Sequence, residues 1–314
     1  MQSQLKLPKI ALGAWAWGND GTFGQTLNEN TLRDVFQTAM DHGLNLWDTA
    51  YAYGMGTSEK FLASFLKGLP RDSYLISDKF TPQCADASSA TAMKDMIEMQ
   101  LKLMDLDHFD IYWIHNTQDA PRWTTALAKY FEGKDQVPLI GVSNHNLAEI
   151  KQAQAILNDH GLKLSAVQNH YSLINRSSEE SGILKYCQDH DMYFFSYMVL
   201  EQGALTGNYD SAHPMPAGSA RAETYNPVLD QIEILNAQLK EIAEKYHVTI
   251  AQIPVAWAIA KGTLPIIGVT KTKHVEDAIK ACQMNLTAEE VKRLEETADR
   301  LDLNVIRMWE KEMK

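Results

Sequence analysis

Short continuous apolar runs alternate along the chain with longer amphipathic stretches. The runs show no strict alternation of apolar and polar residues, which is typical of parallel strands that are buried on both faces. We predict eight such strands, over Ile10–Leu12, Leu44–Asp48, Leu75–Lys79, Ile111–His115, Leu139–Ser143, Ala166–Gln168, Tyr193–Tyr197 and Pro265–Val269.

The stretches between these runs have helical spacing. In the range 28–42, Leu32, Val35, Phe36 and Ala39 fall at i, i+3, i+4 and i+7, which places them on one face of a helix. The same reasoning predicts further helices over Ser88–Met104, Leu147–Asp159, Ser178–His190, Leu229–Tyr246 and Thr287–Leu301, and a charged helical tail over Arg307–Lys314.

Eight strands alternating with helices favour a closed barrel over an open doubly wound sheet. The chain has 314 residues, and no change of composition marks a domain boundary. We therefore predict one α/β domain, a (β/α)8 TIM barrel, over residues 1–314. Two irregular segments, Trp17–Gln25 and Gly207–Pro227, follow predicted strands, so they are expected on the C-terminal face of the barrel, where active sites of this architecture lie.

Composition and charge narrow the range of partners. The chain is 45% hydrophobic and 22% charged, as in folded globular proteins, and its formal charge of −11 argues against nucleic acid or an anionic membrane surface. No apolar run approaches the ~20 residues of a membrane span, and no secretion signal is recognised. Three widely spaced cysteines suggest a reducing cytoplasm. We expect a cytoplasmic protein with a small-molecule partner, either a monomer or a homo-oligomer.

Titratable side chains mark the C-terminal ends of three successive predicted strands. Asp48 ends the second strand, Lys79 the third and His115 the fourth, and Tyr53 follows Asp48 by five residues. Each residue alone has an ordinary interpretation as a turn, surface or core residue. A barrel would gather all four at one rim, and this convergence makes them candidate catalytic residues.

The four side chains suggest proton transfer to a carbonyl oxygen. A tyrosine has an unperturbed pKa near ~10, and a neighbouring Lys79 ammonium would lower the pKa of Tyr53. Asp48 would hold Lys79 charged, and His115 would donate a hydrogen bond to a substrate oxygen. Together these groups would protonate a carbonyl oxygen while hydride reaches its carbon.

The motifs around these residues resemble those of the aldo-keto reductase superfamily, over roughly residues 8–300. The resemblance rests on Asp48-Thr-Ala-Tyr-Ala-Tyr53-Gly54, on Lys79 in Ser-Asp-Lys-Phe, and on His115 in Tyr-Trp-Ile-His. It implies that Tyr53 is the general acid/base, that Lys79 and Asp48 tune it, and that His115 orients the carbonyl. It also implies metal-free hydride transfer between NADP(H) and an aldehyde, ketone or alcohol.

The resemblance further implies a dinucleotide site along the strand ends. The nicotinamide would lie beside the first-strand turn, the pyrophosphate in the loop after the seventh strand, and the adenosine near a helix that starts at about Thr272. The implied cofactor-binding residues are Gly13, Ala14, Trp15, Asp48, Ser143, Asn144, Gln168, Tyr197, Met198, Leu200, Gln202, Gly203, Leu205, Gly207, Gly268, Thr270, Lys271, Lys273, His274 and Asp277.

The adenosine end departs from the family pattern. Lys271 and Lys273 favour a 2′-phosphate, and hence NADP(H). His274 stands where many members carry an arginine, and Ala278 replaces a common asparagine, so NAD(H) is also possible.

The substrate pocket is predicted from residues at the strand ends and in the first loop. An aromatic-lined pocket of this kind suits a sugar-like or an aromatic carbonyl. The candidates are Trp15, Trp17, Phe23, Tyr53, Phe80, His115 and Asn116.

Three other functions use the same features. A metal-dependent barrel hydrolase would take His115, Asp48, His145 and His170 as ligands, although their spacing is not typical of that class. A nicotinamide-binding regulatory subunit would use the cofactor site as a redox sensor. A sugar oxidoreductase or epimerase would hold its cofactor tightly and run hydride transfer in both directions.

Overall fold

Eight parallel strands pair in chain order and close into a barrel through pairing of the first strand with the last. A computed structural model describes residues 5–303, 305–307, 310, 311 and 313. The strands are β1 (Ala11–Gly13), β2 (Leu46–Asp48), β3 (Leu75–Phe80), β4 (Ile111–Ile114), β5 (Leu139–Ser143), β6 (Leu164–His170), β7 (Tyr193–Tyr197) and β8 (Leu264–Gly268). The predicted (β/α)8 TIM barrel is confirmed, and its extension over all of residues 1–314 stays a prediction.

Helices connect the strands and cover the outside of the barrel. They are α1 (Glu29–Asp41), α2 (Thr57–Leu66), α3 (Ala92–Met104), α4 (Ala120–Phe131), α5 (Leu147–Asp159), α6 (Ser177–Glu180), α7 (Ile183–Asp189), α8 (Ala220–Tyr225), α9 (Leu229–Tyr246), α10 (Gln252–Ala260), α11 (Thr272–Gln283) and α12 (Ala288–Leu301). Short 3-10 helices lie at Trp15–Gly18, Arg71–Ser73, Pro82–Cys84, Glu201–Thr206 and Asn226–Val228. Within the described residues, none of the helices combines the length and apolar character that a membrane span requires.

Local sequence explains where several helices begin. The Asn28 side chain accepts a hydrogen bond from Thr31 N at the start of α1. A reciprocal capping box between Thr287 and Glu290 opens α12. The single helix predicted over Ser178–His190 is wrong, because Gly182 adopts φ +79° and separates α6 from α7.

The end of the chain also differs from the prediction. In the segment expected as a charged helical tail, the structure describes Arg307, Glu310, Lys311 and Met313, and none of these four lies in a helix. Arg307, Glu310 and Met313 are buried. The tail is therefore packed into the fold at these positions, and the charged side chains of Arg307 and Glu310 are buried with it.

The barrel interior follows from the two-residue repeat of a strand. Leu46, Ile111, Trp113 and Phe195 belong to one buried cluster, separate from the core between strands and helices. The Trp113 and Phe195 rings meet edge to face at 5.1 Å. A Cβ at Gly141 on β5 would lie 2.2 Å from the Trp113 ring, so glycine leaves the space that this ring fills. Residues two positions further along each strand therefore sit above this filled interior, at the barrel mouth.

Candidate active site

The two-residue repeat brings three of the four predicted catalytic side chains to the mouth of the barrel. Asp48 lies two residues after Leu46 on β2, and Lys79 two residues after Ser77 on β3. His115 lies two residues after Trp113, immediately beyond β4. Strand pairing continues past β4, because His115 N donates to Phe80 O at 2.9 Å.

Asp48 and Lys79 form a buried ion pair, with the residues 3% and 0% exposed. Lys79 Nζ donates to Asp48 Oδ2 at 2.6 Å and to Thr49 O at 2.7 Å. Asp48 Oδ1 accepts hydrogen bonds from Ser77 Oγ at 2.7 Å and from Gln168 Nε2 at 3.2 Å. Burial alone lowers the pKa of Lys79, but the Asp48 carboxylate raises it above its ordinary value, so Lys79 remains an ammonium.

Tyr53 lies against this ion pair. Lys79 Nζ is 5.0 Å from the centroid of the Tyr53 ring. Burial raises the pKa of Tyr53 above its ordinary value; Lys79 lowers it and Asp48 raises it. The hypothesis that Lys79 makes this phenol unusually acidic is therefore wrong. Lys79 does lower the pKa of Tyr53, but it only partly offsets the larger increase caused by burial, so the net pKa is raised. The Tyr53 phenol is therefore protonated at neutral pH.

Two glycines fix the position of Tyr53. Gly54 has φ +68°, and a Cβ at Gly54 would lie 1.9 Å from Gly18 O. In the reverse direction, a Cβ at Gly18 would lie 2.6 Å from the carbonyl carbon of Tyr53. The backbone that carries Tyr53 therefore packs directly on the 3-10 helix after β1, and both positions require glycine.

His115 follows β4, the strand that pairs with the Lys79 strand β3, and its side chain is a neutral imidazole. Its ring centroid is 5.8 Å from that of Tyr53, at an angle of 79°. Burial, and secondarily the Lys79 charge, lowers the pKa of His115 to about 3. Its Nδ1 lies 2.7 Å from Thr81 Oγ1. Asn144 Nδ2 donates to the His115 carbonyl at 3.0 Å, so both the ring and the backbone are held.

Aromatic side chains continue from Tyr53 towards the first loop. Trp15 stacks on Tyr53 with centroids 5.8 Å apart, and Phe23 meets Trp15 edge to face at 5.3 Å. On the other side, Asn116 follows His115, and its Nδ2 donates to Gln83 Oε1 at 2.8 Å. The structure thus brings Trp15, Phe23, Tyr53 and His115 together, with Asn116 next to them in the chain.

Two of the predicted pocket residues belong to the core instead. Trp17 is fully buried, packs on Trp47 and Phe65, and donates from Nε1 to Val269 O at 2.7 Å. Phe80 is fully buried against Trp123 of α4, with centroids 4.8 Å apart. The prediction that they line the substrate pocket is wrong. Phe80 follows Lys79 directly, so it points to the opposite face of β3, towards the helices.

Predicted nicotinamide contacts gather at the ends of β5, β6 and β7. Tyr197 OH donates to Asn144 Oδ1 at 2.5 Å, and Asn144 Nδ2 donates to Ser143 Oγ at 3.2 Å. Asn144 adopts φ +63°, a conformation that asparagine tolerates better than most residues. Gln168 lies at the same rim, with its amide nitrogen hydrogen-bonded to Asp48. On β1, Gly13 pairs with Asp48 and Gly268, and Ala14 N donates to Asp48 O at 2.9 Å.

The loop after β7 has a backbone suited to close contact with a ligand. Met198, Glu201, Gln202, Gly203 and Gly207 all have positive φ. The buried Oε1 and Nε2 atoms of Gln202 find no hydrogen-bond partner within the part of the chain that the structure describes. Such unpaired polar atoms fit a loop that binds a polar ligand. The predicted contacts Leu200 and Leu205 differ from these, because the Leu205 side chain is buried in the core and Leu200 packs against it.

The predicted adenosine end lies between β8 and α11. Nothing lies within 4 Å of a Cβ built on Gly268, so this strand end is open. Lys271 caps α11, whose first N–H groups and positive dipole end favour an anion. His274 Nδ1 accepts from Thr270 N at 3.2 Å.

Two further predicted adenosine contacts are paired with each other. Lys273 Nζ lies 3.4 Å from Asp277 Oδ1. Asp277 Oδ1 also accepts a hydrogen bond from Gln252 Nε2 at 2.7 Å. The charge of Lys273, one of the two lysines expected to favour a 2′-phosphate, is thus partly balanced by Asp277.

The residues considered as metal ligands do not form a metal site. His145 Nδ1 lies 2.7 Å from Ser143 O, while His170 lies between Glu201 and Glu310. Across the residues that the structure describes, no group of three or more His, Cys, Asp or Glu side chains is arranged to hold a metal ion.

The sequence of this chain matches a known protein family over most of its length. The model of the Aldo/keto reductase family matches residues 9–299. The chain belongs to this family. Aldo/keto reductases are oxidoreductases, and the family assignment agrees with the resemblance found in the sequence motifs.

Two relatives of this aldo/keto reductase are named for different substrates, and one of them also for its cofactor. The chain is 30% identical to the chloroplastic pyridoxal reductase of Arabidopsis thaliana, covering 94% of this chain and 84% of the relative. It is 26% identical to the NADH-specific methylglyoxal reductase of Escherichia coli, covering 96% of this chain and 97% of the relative.

Solved structures share the fold. The glycerol dehydrogenase of Gluconobacter oxydans superposes with a TM-score of 0.82 at 21% identity, covering 98% of this chain and 96% of that chain. An aldo-keto reductase of Klebsiella pneumoniae in complex with NADPH superposes with a TM-score of 0.73 at 24% identity, with the same two coverages of 98% and 96%.

Three polar residues at the site were not recognised from the sequence. Thr81 contacts the His115 ring, and Arg221 of α8 donates to Gln202 O at 3.1 Å. Glu201 is fully buried although it opens the loop expected to hold pyrophosphate. An acidic residue is unexpected beside a predicted pyrophosphate site, and this mismatch in the sequence marks Glu201 as unusual.

Proposed function

We propose that this aldo/keto reductase catalyses the NADP(H)-dependent reduction of an aldehyde or ketone to an alcohol, with Tyr53 as the proton donor. The observation that carries the proposal is the buried Lys79–Asp48 pair, 2.6 Å apart, against the Tyr53 ring, with the ring of a neutral His115 5.8 Å from that of Tyr53. Family membership and the NADPH complex of a structural neighbour support the same conclusion.

Tyr53 is suited to act as the acid. Its raised pKa keeps the proton on the phenol until charge develops on the substrate oxygen. When the phenol gives up its proton, the Lys79 ammonium stabilises the phenolate, and Asp48 holds that ammonium in place. The bound nicotinamide would supply the hydride for the carbonyl carbon.

His115 is suited to orient the carbonyl. We infer the tautomer with the proton on Nε2, in which the Thr81 hydroxyl donates to Nδ1. The Nε2–H group then donates a hydrogen bond to the substrate oxygen. Because the imidazole is neutral, it does so without adding a second full charge beside Lys79.

The cofactor would be held by residues already brought together at the rim. Ser143, Asn144 and Tyr197 would hold the nicotinamide end, and the unpaired amide of Gln202 fits the pyrophosphate region. Lys271 at the start of α11 would bind a 2′-phosphate, so NADP(H) is favoured, while NAD(H) remains compatible with the site.

The pocket favours a flat, unsaturated carbonyl compound. Trp15 and Phe23 extend an aromatic wall from Tyr53, and such walls bind planar groups by stacking. A relative is a pyridoxal reductase and another a methylglyoxal reductase, so the informative panel contains pyridoxal, benzaldehyde, methylglyoxal and a ketose.

The proposal is tested by replacing the acid alone. Tyr53→Phe should lower kcat, measured by the loss of NADPH absorbance at roughly 340 nm, by at least about 100-fold. NADPH binding should remain intact. Tyr51→Phe, two residues away in the same loop, is the matched control and should keep near wild-type turnover. Wild-type turnover in Tyr53→Phe would overturn the assignment.

A further inference from the structure

A buried cluster of four charged side chains lies next to Tyr197, one of the residues proposed to hold the nicotinamide. His170, the last residue of β6, has Nε2 2.7 Å from Glu201 Oε1 and Nδ1 3.0 Å from Glu310 Oε2. These three side chains are 2%, 0% and 1% exposed. Arg307 Nη1 lies 3.4 Å from Glu310 Oε1, and its Nη2 lies 3.8 Å from Glu201 Oε2.

The charges within this cluster balance. Burial alone lowers the pKa of His170, but the Glu201 and Glu310 carboxylates raise it to about 9, so the imidazole is protonated at neutral pH. Two cations then face two carboxylates. A buried charge without a partner is strongly unfavourable, so loss of one member leaves the others uncompensated.

Glu201 connects the cluster to the loop after β7. The backbone has φ +47° at Glu201 and φ +51° at Gln202, in the left-handed region that non-glycine residues rarely adopt. Such a conformation persists only when surrounding contacts enforce it. Here the Glu201 carboxylate accepts hydrogen bonds from Ser172, and from Tyr225 OH of α8 at 2.5 Å, in addition to the contact with His170.

His170 also connects the cluster to the reaction site. Its ring stacks on Tyr197 with centroids 5.6 Å apart and an angle of 28°. Tyr197 in turn donates to Asn144, which donates to the His115 carbonyl. A continuous set of contacts therefore runs from Glu310, near the end of the chain, to the residue that would orient the carbonyl.

We propose that Arg307 and Glu310 make the C-terminal segment a positioning element of the dinucleotide site. Through His170 and Glu201 they hold the Tyr197 ring and the strained 201–207 loop in the binding conformation before the cofactor arrives. The inference rests on the proposed function, because it takes this loop as part of the dinucleotide site. His170, Glu201 and Glu310 are positioning residues, since they act through Tyr197 and the loop backbone.

The first test compares two substitutions in the same segment. Glu310→Gln removes one carboxylate charge from the cluster. Lys311→Ala is the matched control, because Lys311 pairs with Glu149 at 2.6 Å outside the cluster. In the full-length protein without cofactor, amide hydrogen exchange over residues 201–207 should be at least about tenfold faster in Glu310→Gln and unchanged in Lys311→Ala.

The second measurement is dinucleotide affinity. NADPH titrated against intrinsic tryptophan fluorescence should bind about tenfold more weakly to Glu310→Gln than to wild type or Lys311→Ala. Equal exchange and equal affinity in the two variants would overturn the inference. Failure of the wild-type protein to bind NADPH would instead overturn the proposed function, while exchange over residues 201–207 still decides whether the cluster anchors the loop.

The third measurement uses the wild-type protein, so it does not depend on a variant that folds. The groups facing His170 are Glu201 and Glu310, the Asn175 amide nitrogen at 3.0 Å and the Tyr197 ring, and Arg307 lies beside both carboxylates. Burial keeps the pKa of Tyr197 well above its ordinary value. Because the pKa of His170 is raised, the stabilisation of the cluster by protonated His170 is fully present below the ordinary histidine pKa. It is lost as pH rises through about 9.

NADPH affinity and loop protection should therefore fall together as pH rises through about 9 in the wild-type protein. The same step should be absent from His170→Gln, which lacks the titrating group. If the cluster had a purely structural role, His170→Gln would lower the stability of the protein and leave the pH step in NADPH affinity unchanged. A step of the same size in His170→Gln would contradict the inference.

Discussion

Lys79 Nζ and Asp48 Oδ2 lie 2.6 Å apart at the barrel mouth, with both side chains buried and their remaining polar contacts supplied by Thr49, Ser77 and Gln168. A buried pair of this kind is destabilised most by removing one partner, because the other charge is then left without compensation. The pair therefore links the proposed catalysis to the stability of the fold.

The stability part of this link is tested by a double-mutant cycle. Lys79→Met should lower the free energy of unfolding by about 3–5 kcal/mol, because it leaves the Asp48 charge buried alone. The double variant Lys79→Met/Asp48→Asn should recover part of that loss. Urea unfolding followed by tryptophan fluorescence measures both. Additive losses in the double variant would show that the two side chains are not energetically coupled.

The pKa values predict the pH dependence of the reaction. As the proposed proton donor, Tyr53 must be protonated for reduction, and its pKa is raised, so reductive kcat should stay level from about pH 5 to about pH 8 and fall only at higher pH. The pKa of His115 is about 3, so this residue adds no step in that range. Alcohol oxidation needs the phenolate and should rise with pH. A fall of reductive kcat centred near neutral pH would contradict the assignment.

The contact between Gly18 and the Tyr53 backbone predicts a positional effect. A Cβ at Gly18 would lie 2.6 Å from the Tyr53 carbonyl carbon, so Gly18→Ala must displace the loop that carries the proposed proton donor. We expect kcat to fall by about tenfold or more, since misplacement of a reacting group is costly even at small distances. NADPH affinity should change little.

Gly43→Ala is the control for that substitution. A Cβ at Gly43 meets nothing within 4 Å, but the residue has φ +73°, so alanine is strained there without touching the site. This variant should lose stability and keep its kcat. Equal kcat in the Gly18 and Gly43 variants would show that the glycine contact does not position Tyr53.

Cofactor preference is predicted to depend more on Lys271 than on Lys273. Lys273 is partly balanced by Asp277 at 3.4 Å, whereas Lys271 is the capping residue of α11. Lys271→Met should weaken NADPH binding by about tenfold and leave NADH binding unchanged, because only NADPH carries the 2′-phosphate. Lys280→Met, in the last turn of the same helix, is the control. Equal affinity of the wild type for both cofactors would contradict the NADP(H) preference.

Much of the fold could be predicted because it depends on local patterns. Continuous apolar runs identified all eight strands, and apolar spacing placed α1, α5 and α9 within a residue of their observed ends. The rim positions of Asp48, Lys79 and His115 followed as well, because the two-residue repeat carries a strand-end side chain to the barrel mouth.

The same local reasoning failed where a single residue reverses direction or breaks a helix. Phe80 follows Lys79 directly and therefore points towards α4. Gly182 divides a helix whose apolar spacing continues across it. Trp17 was assigned to the pocket from its place in a loop, but its ring packs between Trp47 and Phe65.

Electrostatics required the tertiary structure. The sequence places a lysine near Tyr53, but the net pKa of Tyr53 depends on how much solvent the fold removes, and burial outweighs the Lys79 charge. His170 shows the opposite case, because its carboxylate partners outweigh burial. Charges and desolvation act in space, so their balance cannot be read from residue order.

The sequence by itself thus determined the barrel, the family and the residues at the strand ends. Only the tertiary structure decided that Glu310, 140 residues after His170, returns to the barrel mouth and pairs with it there. Periodicity reports which face of an element is buried, since that depends on near neighbours. A pairing between distant segments depends on how the whole chain packs, and a buried ion pair forms only where that packing brings both charges out of water together.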